Sequence, residues 1–570
     1  MTALSRVLAS TNVLTAANDN SCLRLVRSND RASKTLRPYD TIASITYPSG
    51  SLVTNVYDTA GYLHLVKAKP TGSPVTTTLA TLTHLPFGPI NSSSYGNGIS
   101  ESWTFDEDYR STNITDTHSA TTLQNLTYGY DANDNVKTIT DAVNAANGQT
   151  LGYDVLNRIN SAVSGTGGYG SLSWTYDKNG NVKTYKVGSS TTTYGYTSGT
   201  NRLATIGGPT IPKTVSTNAN GNITSIPPAN SGTNATFSYG NDNRLASVTG
   251  SPVAASFVYD AFGQRFSKTD SGGTPIFYSY LQGQLLMEEN NSGAISDYIY
   301  ADGRPISVLK VGSGPTPVTS YILADRLGTP QLATNGSAAT VWATTYQPYG
   351  TTGTITGTAT QNLRLPGQNN DSETGFYYNI QRDYMPNIGR YLETDPIGLV
   401  GGMNTYGYAG ANPVALTDPL GLIKCTAGGL YCYPEPSDYK DGQLSLPPLT
   451  PAQENTLSIL MMLPIGPGPE IKAAQLGKKI IEICAADGTR IIGFTGHGIE
   501  RAIGNAAERA GTKPQSILDT LTNPENIKNG VDAQGRPFTI FTGQTSRVVV
   551  NPSTGKIVSV NPLSGEGASR

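Results

Sequence analysis

Hydrophobic and polar residues alternate over short runs through the first three quarters of the chain, and turn-forming residues separate these runs. Thr, Val, Ile and Tyr fill the runs, while Gly-Asn, Asn-Gly and Asp-Gly pairs stand between them. Alternation with a period of two is typical of β-strands with one buried face, and these dipeptides favour tight hairpin turns. The pattern therefore predicts an all-β region of strands joined by short turns.

A seven-residue unit of the form Tyr-Asp-x-x-Gly-x-hydrophobic recurs along this region. The two steps that separate Tyr130, Tyr153 and Tyr176 are both 23 residues long. A fixed period of this size indicates one supersecondary unit that is repeated, rather than a set of independent domains. Clear copies begin at Tyr57, Tyr130, Tyr153, Tyr176 and Tyr259, and degenerate copies begin at Asn218, Tyr239 and Tyr300.

Each unit is expected to be a strand that ends in Tyr, a turn, and a returning strand. The Asp side chain can accept hydrogen bonds from the turn, and Gly or Asn can take the position that needs a positive φ. The Tyr ring can lie over the neighbouring hairpin, where its hydroxyl needs a partner. One hairpin cannot bury that face alone, so the units must stack. This structural explanation is favoured over carbohydrate binding by the Tyr and Asp residues.

Length and charge limit the functional classes. The chain has 570 residues and a formal net charge of −2, so at least two domains are expected and a globally basic nucleic-acid-binding protein is excluded. Residues 471–570 carry 12 Lys and Arg against 8 Asp and Glu, a net charge of +4, whereas the preceding residues carry −6. This asymmetry favours a mildly acidic container and a basic cargo directed at nucleic acid.

The cysteines and the apolar segments indicate little special chemistry. Cys425 and Cys432 can pair or share a metal, but unremarkable thiols are the favoured interpretation, and no cofactor or metal site is predicted. The segment from Leu457 to Ile465 is far shorter than the ~20 residues that span a bilayer, so no stable membrane insertion is expected. No signal peptide is recognisable. Either export uses another route or the true N-terminus lies upstream, which the early repeat-like sequence of 45–66 favours.

Two Asp-Pro-x-Gly-Leu units provide the candidate chemistry. They begin at Asp395 and Asp418, which are 23 residues apart. Two carboxylates held within a few ångströms cannot both ionise, so one stays protonated while the other can activate water, as in aspartic proteases. The spacing alone is equally compatible with two Asp-Pro turns that carry no chemistry, and that alternative stays open.

These units and the sequence around them resemble the RHS family of YD-repeat proteins, over roughly Asp40 to Leu422. Its core motifs are matched by PGQ at 366–368, ETGFYYN at 373–379 and GRYLETDPIGL at 389–399. Its core opening is matched within 321–350 by Asp325, Gly328, Thr329, Trp342, Tyr346, Pro348 and Gly350. In that family, which includes C components of insecticidal toxin complexes, a β ribbon spirals into a hollow cocoon, a core plugs one end, and a variable tail is held inside.

The resemblance implies a fold, a domain order and a cleavage site. The expected fold is mainly β, a spiralling antiparallel β-hairpin shell with a small α+β C-terminal domain. The expected order is a shell over 1–320, a core with the self-cleavage motif over 321–422, a linker over 423–470 and a toxin domain over 471–570. In the family the paired motif is an intramolecular aspartyl protease. If the motif has the same role in this chain, Asp395 and Asp418 are the catalytic pair and Leu422–Ile423 is the scissile bond. Arg390 is then a residue that adjusts the pair or orients the scissile carbonyl.

The last hundred residues predict a compact α+β domain. Helices are expected over 497–511, closed by Gly511, and over 514–524. Four strands are expected after them, KNGVD, RPFTIFTG from Arg536, SRVVVN from Ser546 and KIVSVN from Lys556, with turns that form an antiparallel meander.

His497 and Arg501 are the candidate catalytic residues of this tail. They are four residues apart and hence on one helix face. An imidazole that moves a proton and a guanidinium that stabilises phosphorane charge meet the needs of metal-independent RNA cleavage. Thr542, Gln544 and Arg547 can present a hydroxyl, an amide and a charge to the phosphate. In the alternative interpretation His497 lies near a helix N-cap and Arg501 is a solvated charge.

The tail resembles the barnase–EndoU–colicin–RelE group of toxin ribonucleases over about its last 80 residues, through the HGxxR helix, the Asn-Pro helix end at Asn523 and the TGQ and VVVNP strand pair. With the shell, this implies a polymorphic toxin of bacterial competition that is secreted or delivered at the cell surface and acts in the target-cell cytoplasm. Implied partners are a cognate immunity protein, RNA such as tRNA, and a secretion apparatus component. The alternatives are a structural or adhesive surface repeat protein with a non-enzymatic tail, and a toxin of another chemistry that uses the cysteines.

Overall fold

The chain forms two compact units. The first comprises Met1–Thr83 and Ile90–Pro464, and the second comprises His84–Pro89 and Ile465–Arg570. The structure, a computed structural model, describes residues 33–36, 42–426 (without 87–88, 209–211, 228–233, 251–253, 261, 282, 313 and 315), 439–440, 443–444, 493–494, 520–521 and 524–562 (without 532–536, 545 and 553–555).

A 17-stranded sheet occupies the first half of the first unit, and successive strands lie side by side. The alternation of short apolar runs and turns thus produces a meander, as expected. The strands are β1 Ser33–Leu36, β2 Ile42–Thr46, β3 Leu52–Tyr57, β4 Leu63–Lys69, β5 Thr77–His84, β6 Ile90–Tyr95, β7 Ile99–Phe105, β8 Ser111–His118, β9 Thr121–Tyr130, β10 Val136–Asp141, β11 Gln149–Tyr153, β12 Ile159–Ser164, β13 Ser171–Tyr176, β14 Val182–Val187, β15 Ser190–Tyr196, β16 Leu203–Gly207 and β17 Pro212–Thr214.

A 14-stranded sheet continues the meander in the same unit, again with neighbours in chain order. Its strands are β18 Ser216–Thr217, β19 Ile223–Ile226, β20 Ala235–Tyr239, β21 Leu245–Thr249, β22 Ala255–Tyr259, β23 Arg265–Asp270, β24 Pro275–Leu281, β25 Gln284–Asn290, β26 Ile295–Ala301, β27 Arg304–Val311, β28 Val318–Ala324, β29 Pro330–Thr334, β30 Thr340–Ala343 and β31 Thr356–Gly357.

A small four-stranded sheet then carries the RHS-like core motifs. Its strands are β32 Asn369–Asp371, β33 Phe376–Asn379, β34 Arg382–Met385 and β35 Arg390–Tyr391. The described 3₁₀ helices are Ala145–Asn147, Gly398–Gly401 and Ala409–Ala411, and a short pair of strands follows at β36 Tyr439–Lys440 and β37 Gln443–Leu444.

The Tyr-Asp units form the hairpin turns that the sequence predicts. The Asp154 carboxylate accepts hydrogen bonds from the backbone N–H groups of Leu156 and Arg158, and Asn157 has a φ of 59°. The Tyr153 hydroxyl donates to the Val136 carbonyl of the preceding hairpin. The same tyrosine contact, to a carbonyl 14 to 19 residues earlier, is made by Tyr57, Tyr130, Tyr176, Tyr196, Tyr239, Tyr259 and Tyr300.

The core packs on these turns through side-chain hydrogen bonds. The Asn412 amide donates to Asn135 Oδ1 over 2.8 Å, and the Tyr406 hydroxyl donates to the Gly221 carbonyl over 2.8 Å. The Asn201 amide donates to the Met403 carbonyl over 2.7 Å. Residues 403–412 are therefore held by turns that come 185 to 277 residues earlier in the chain.

A buried ion network joins the core sheet to β23. The Arg265 guanidinium lies 2.6 Å from Asp371 and 2.8 Å from Asp383, and its side chain is fully buried. Lys268 lies 3.1 Å from Asp371 and 2.9 Å from Glu373. Because these charges are removed from water, each depends on its partners to offset the cost of desolvation.

The second unit contains a five-stranded sheet in the order β38, β42, β41, β40, β39. The four strands expected from the sequence are all present and form the antiparallel meander, and β38, which pairs parallel with β42, is an addition. Of the predicted helices, 497–511 lies outside the described residues, and Thr520 and Leu521 of 514–524 are helical. The strands are β38 Gly493–Phe494, β39 Asn526–Val531, β40 Pro537–Thr542, β41 Ser546–Asn551 and β42 Lys556–Pro562.

The expectation of unremarkable thiols is wrong for Cys425, which is disulfide-bonded and 2% exposed. The other cysteines, Cys22, Cys432 and Cys484, lie outside the described residues. Pairing was the weaker alternative in the sequence because Cys425 and Cys432 are accompanied by no CxxC motif and no His cluster.

Candidate active site

The two Asp-Pro units form turns whose aspartates cap the following backbone. Asp395 follows β35 and its carboxylate accepts the N–H of Ile397 over 3.0 Å. The Asp418 carboxylate Oδ1 accepts the N–H groups of Leu422 over 2.8 Å and Ile423 over 3.1 Å. Both aspartates thus initiate turns, as the alternative without chemistry predicted. The same hydrogen bonds fix the positions of their side chains.

Arg382 of β34 brings the two carboxylates together. Its Nη2 lies 2.9 Å from Asp395 Oδ2 and 3.1 Å from Asp418 Oδ2, so these two oxygens are no farther apart than the sum of those distances. Its Nε donates to the Gly421 carbonyl over 2.6 Å. All three charged side chains are nearly inaccessible to solvent. A cation shared by two buried acids offsets their mutual repulsion and part of the cost of removing them from water.

Arg390 contacts other residues than the two aspartates. Its Nη2 donates to the Asn201 carbonyl over 2.9 Å and its guanidinium stacks 4.5 Å from the centre of the Tyr406 ring. Arg390 therefore belongs to the contacts between the core and the repeat turns. The guanidinium next to the two carboxylates is that of Arg382, whereas the sequence interpretation assigned that place to Arg390, which is closer to Asp395 along the chain.

Two further polar residues surround Asp418. The Tyr391 hydroxyl donates to Asp418 Oδ2 over 2.8 Å, and the Asn379 amide donates both to Tyr391 Oη over 2.7 Å and to the Asp418 carbonyl over 2.8 Å. With Arg382 and the two backbone N–H groups, the Asp418 carboxylate has four donors. Hydrogen bonds to a charged acceptor favour its ionised form.

Gly401 places the other carboxylate against the predicted scissile peptide. A Cβ on Gly401 would lie 2.3 Å from Asp395 Oδ2 and 2.6 Å from the Leu422 carbonyl oxygen. These two oxygens are thus neighbours, and only a glycine leaves room for both. The Leu422–Ile423 peptide consequently has Asp395 beside its carbonyl and Asp418 beside its N–H.

Burial raises the pKa of both aspartates above that of a carboxyl in water. Desolvation raises the pKa of Asp395 to about 7, although Arg382 opposes the shift and Asp418 adds to it. Desolvation also raises the pKa of Asp418, and Arg382, the N–H groups of Leu422 and Ile423, and the Tyr391 hydroxyl oppose that shift. Asp418 has four donors and Asp395 has two, Arg382 and the N–H of Ile397, so the contacts stabilise the ionised form more at Asp418 than at Asp395.

The candidate residues of the tail are only partly within the described structure. Thr542 at the end of β40 pairs directly with Arg547 of β41, and Gln544 is exposed in the turn between these strands. Arg547 is also exposed, so the three residues share one end of a hairpin. His497 and Arg501 lie outside the described residues.

No group of three or more His, Cys, Asp or Glu side chains suited to a metal ion occurs among the residues that the structure describes. In the same residues, no helix is both long and apolar enough to cross a lipid bilayer.

Comparisons with known proteins agree with the repeat architecture. Double-stranded DNA deaminase toxin A of Burkholderia cenocepacia is 33% identical over an alignment of 229 residues that covers 34% of this chain and 16% of that protein. Probable deoxyribonuclease RhsA of Dickeya dadantii is 29% identical over an alignment of 189 residues that covers 30% of this chain and 12% of that protein. The chain thus spans well under a fifth of the length of these two relatives.

The fold also occurs in a solved structure. The Photorhabdus luminescens Tc holotoxin pore is similar with a TM-score of 0.59 at 20% identity, over 73% of this chain and 22% of that chain. The sequence profile described as Teneurin YD-shell matches residues 89–414, which is more than half of the chain. Most of the repeat turns and the four strands β32–β35 lie inside this match, which ends before Asp418, and the chain accordingly belongs to the Teneurin YD-shell family.

Proposed function

We propose that this chain is part of an RHS-type toxin that cuts its own backbone between Leu422 and Ile423, so that an effector, residues 423–570, and its β shell become two polypeptides. The observation that carries the proposal is the contact of Arg382 with both Asp395 and Asp418, beside that peptide. The names of the relatives, a deaminase toxin and a deoxyribonuclease, support a toxin with an enzymatic effector. An intact-mass spectrum of the purified chain tests it, because the two fragments have defined masses.

The proposed cleavage uses the two acids in different roles. Asp418, ionised, takes a proton from the attacking water, and protonated Asp395 donates its proton toward the Leu422 carbonyl oxygen as that oxygen gains charge. Arg382 keeps both acids in place and offsets negative charge in a buried site, where charges interact more strongly than in water. The N–H of Ile423 already points at Asp418 Oδ1, so a proton can return to the leaving nitrogen there.

The rate of cleavage is expected to fall with rising pH. Because burial raises the pKa of Asp395 to about 7, its protonated fraction drops about tenfold between pH 6 and pH 8. Unfolded, uncut chain refolded from urea at a series of pH values and followed on denaturing gels would measure the rate. Tryptophan fluorescence recorded in parallel, from Trp103, Trp174 and Trp342, shows whether refolding itself changes. A cleavage rate that is constant or rises over this range would exclude Asp395 as the proton donor.

Gly401→Ala is expected to slow cleavage by about 10²-fold, because its methyl group must displace the Asp395 carboxylate or the Leu422 carbonyl. The matched control is Gly336→Ala, where no atom lies within 4 Å of the added carbon. Time courses of fragment formation compare the two variants. Equal rates for both would mean that the approach of Asp395 to the carbonyl is irrelevant to cleavage.

For the effector we propose an enzyme that acts on nucleic acid. The hypothesis of a metal-independent ribonuclease rests on His497 and Arg501 together with Thr542, Gln544 and Arg547. The pairing of Thr542 with Arg547 and the exposure of Gln544 and Arg547 are compatible with a phosphate contact at that end of the hairpin. The named activities of the relatives, on the other hand, concern DNA, so the test must include both nucleic acids.

Expression of residues 423–570 in bacteria is expected to arrest growth. His497→Ala and Arg547→Ala are each expected to relieve the arrest, because they remove the proposed proton carrier and a phosphate-binding charge. Total RNA integrity, plasmid integrity and sequencing for deaminated bases then identify the substrate. Arrest that persists in both variants would refute this assignment of residues. A harmless tail with intact nucleic acids would favour the structural or adhesive alternative.

The partners follow from the same proposal. A toxin of this kind requires a cognate immunity protein in the producing cell, a nucleic-acid substrate such as tRNA, and a secretion apparatus component for delivery. The resulting location is outside the producing cell, with the effector acting in the cytoplasm of the target cell.

A further inference from the structure

The first residues after the proposed cut are held by contacts that do not need the Leu422–Ile423 bond. The Ile423 side chain is buried in an apolar cluster with Ile380 and Ile397. Cys425 pairs with Thr417 through two backbone hydrogen bonds of 2.7 and 2.6 Å. The Ile423 nitrogen is 3.1 Å from Asp418 Oδ1. Each of these contacts lies between the tail and the core, and each survives removal of the one peptide bond.

Hydrolysis changes the charges at this point. The C–N bond between Leu422 and Ile423 breaks, the hydroxyl of water goes to the Leu422 carbonyl carbon, and a hydrogen goes to the Ile423 nitrogen. Near neutral pH the new acid loses a proton and the new amine gains one. The products are a carboxylate on Leu422 and an ammonium group on Ile423, the latter within hydrogen-bond distance of an ionised aspartate.

We propose that the Asp418 carboxylate is the receptor for the new α-ammonium group of Ile423, and that this ion pair keeps the cut tail bound to the core. The inference rests on the proposed cleavage and adds a second role to one of its residues. Before the cut Asp418 serves as a base, and after it Asp418 is the anchor of the product. Separation of the effector from the shell then requires a further event that disrupts the core.

The charge balance of the site favours this pairing. Before cleavage Arg382 and ionised Asp418 offset each other, and protonated Asp395 is neutral. Cleavage adds one positive and one negative charge, so the sum stays at zero. A buried site tolerates charges only when they are paired and hydrogen-bonded. Removal of the Ile423 ammonium group would instead leave two carboxylates with the single guanidinium of Arg382.

Pairing also explains why the cut would not be followed by other reactions at the same site. An ammonium group on Asp418 Oδ1 occupies the base that the proposed mechanism needs. The Leu422 carboxylate remains beside Asp395, where Gly401 places the carbonyl oxygen in the uncut chain. The site therefore acts once, and its product blocks it.

The test is competitive amine labelling of the full, cut chain. Folded protein is treated with isotopically light acetic anhydride, then unfolded and labelled to completion with the heavy form, and each amine is quantified after digestion. Exposed Lys178 is the internal reference. A free α-amine reacts faster than a lysine at pH 7.5 because its ordinary pKa is lower. Paired with Asp418, the Ile423 amine is expected to react at least about tenfold more slowly than a free one, since one unit of pKa removes nine tenths of the reactive form.

The pH dependence of this labelling distinguishes an ion pair with Asp418 from burial of the Ile423 amine without a charged partner. An opposite charge raises the pKa of the Ile423 amine above the ordinary value of about 8, whereas burial without a partner lowers it. A raised pKa supports the proposal. A lowered pKa, or labelling as fast as that of a free amine, overturns it and leaves the cleavage intact. Absence of any fragment that begins at Ile423 overturns the proposed cut and this inference together.

Discussion

Asp395→Asn and Asp418→Asn are each expected to leave the chain whole, at 60.0 kDa, while the unaltered chain appears as fragments 1–422 and 423–570. An amide in place of Asp395 cannot supply the proton to the Leu422 carbonyl, and one in place of Asp418 cannot accept a proton from water. Loss of a positioned acid or base costs about 10²–10⁴-fold in rate. Denaturing mass spectrometry of freshly purified protein measures the outcome.

Glu393→Gln is the matched control for these two variants. Glu393 is also a buried acid of the core, and desolvation raises its pKa well above the usual value, which favours the neutral form that an amide resembles. Its contact is with the backbone N–H of Asp383, which the Gln side-chain oxygen can accept equally well. This variant should be cut like the unaltered chain. Cleavage at Leu422 that persists in both aspartate variants would reject the pair as the catalytic acids.

Arg265→Met is expected to lower the free energy of unfolding of the first unit by about 3–5 kcal/mol, because it leaves Asp383 buried without its cation and Asp371 with Lys268 alone. The guanidinium also stacks 4.0 Å from the centre of the Tyr378 ring and 4.2 Å from that of Phe257, contacts that Met replaces only in part. Urea unfolding measures the change. Both proteins should carry Asp395→Asn, so that uncut chains are compared.

Arg110→Met is the comparison that isolates burial. Arg110 has three carboxylate neighbours, Asp106, Asp108 and Asp134, but all lie at the surface. Water and salt screen such pairs, so the loss should be far smaller than for Arg265 although more acids are involved. Similar losses in both variants would show that the buried network does not hold the core sheet to β23.

The repeat units were predictable in detail because their chemistry is local. The positive φ of Asn157, the capping by Asp154 and the need of the Tyr153 hydroxyl for a partner all follow from a few adjacent residues. The meander of β39–β42 was predictable for the same reason, since turn residues separate four apolar runs. The short parallel strand β38 was not, because parallel pairing leaves no signal in neighbouring residues.

The candidate site was predictable only as far as its motif. The repeated Asp-Pro-x-Gly-Leu unit identified Asp395 and Asp418, but Arg382 gave no comparable signal. It lies in the strand RDYM, where alternation of polar and apolar residues predicts that a charged side chain faces solvent. Only the packing of β34 against both turns brings Arg382 to the two acids. The family resemblance indicated Arg390 instead, because Arg390 matches a motif position shortly before Asp395. Arg265 and Asp371, 106 residues apart, are out of reach of any local pattern.

The order of the hairpins has a consequence for synthesis. Since each strand pairs with the next and each repeat tyrosine reaches back only to the hairpin before it, every layer can form as soon as it has left the ribosome, with short loops to close. The loop from Met403 to Asn412 is different, because it must find the turns at Asn135, Asn201 and Gly221, which were made long before. Cleavage would then occur only in molecules whose earlier hairpins are already correctly folded, so that a cut chain is also a correctly assembled one.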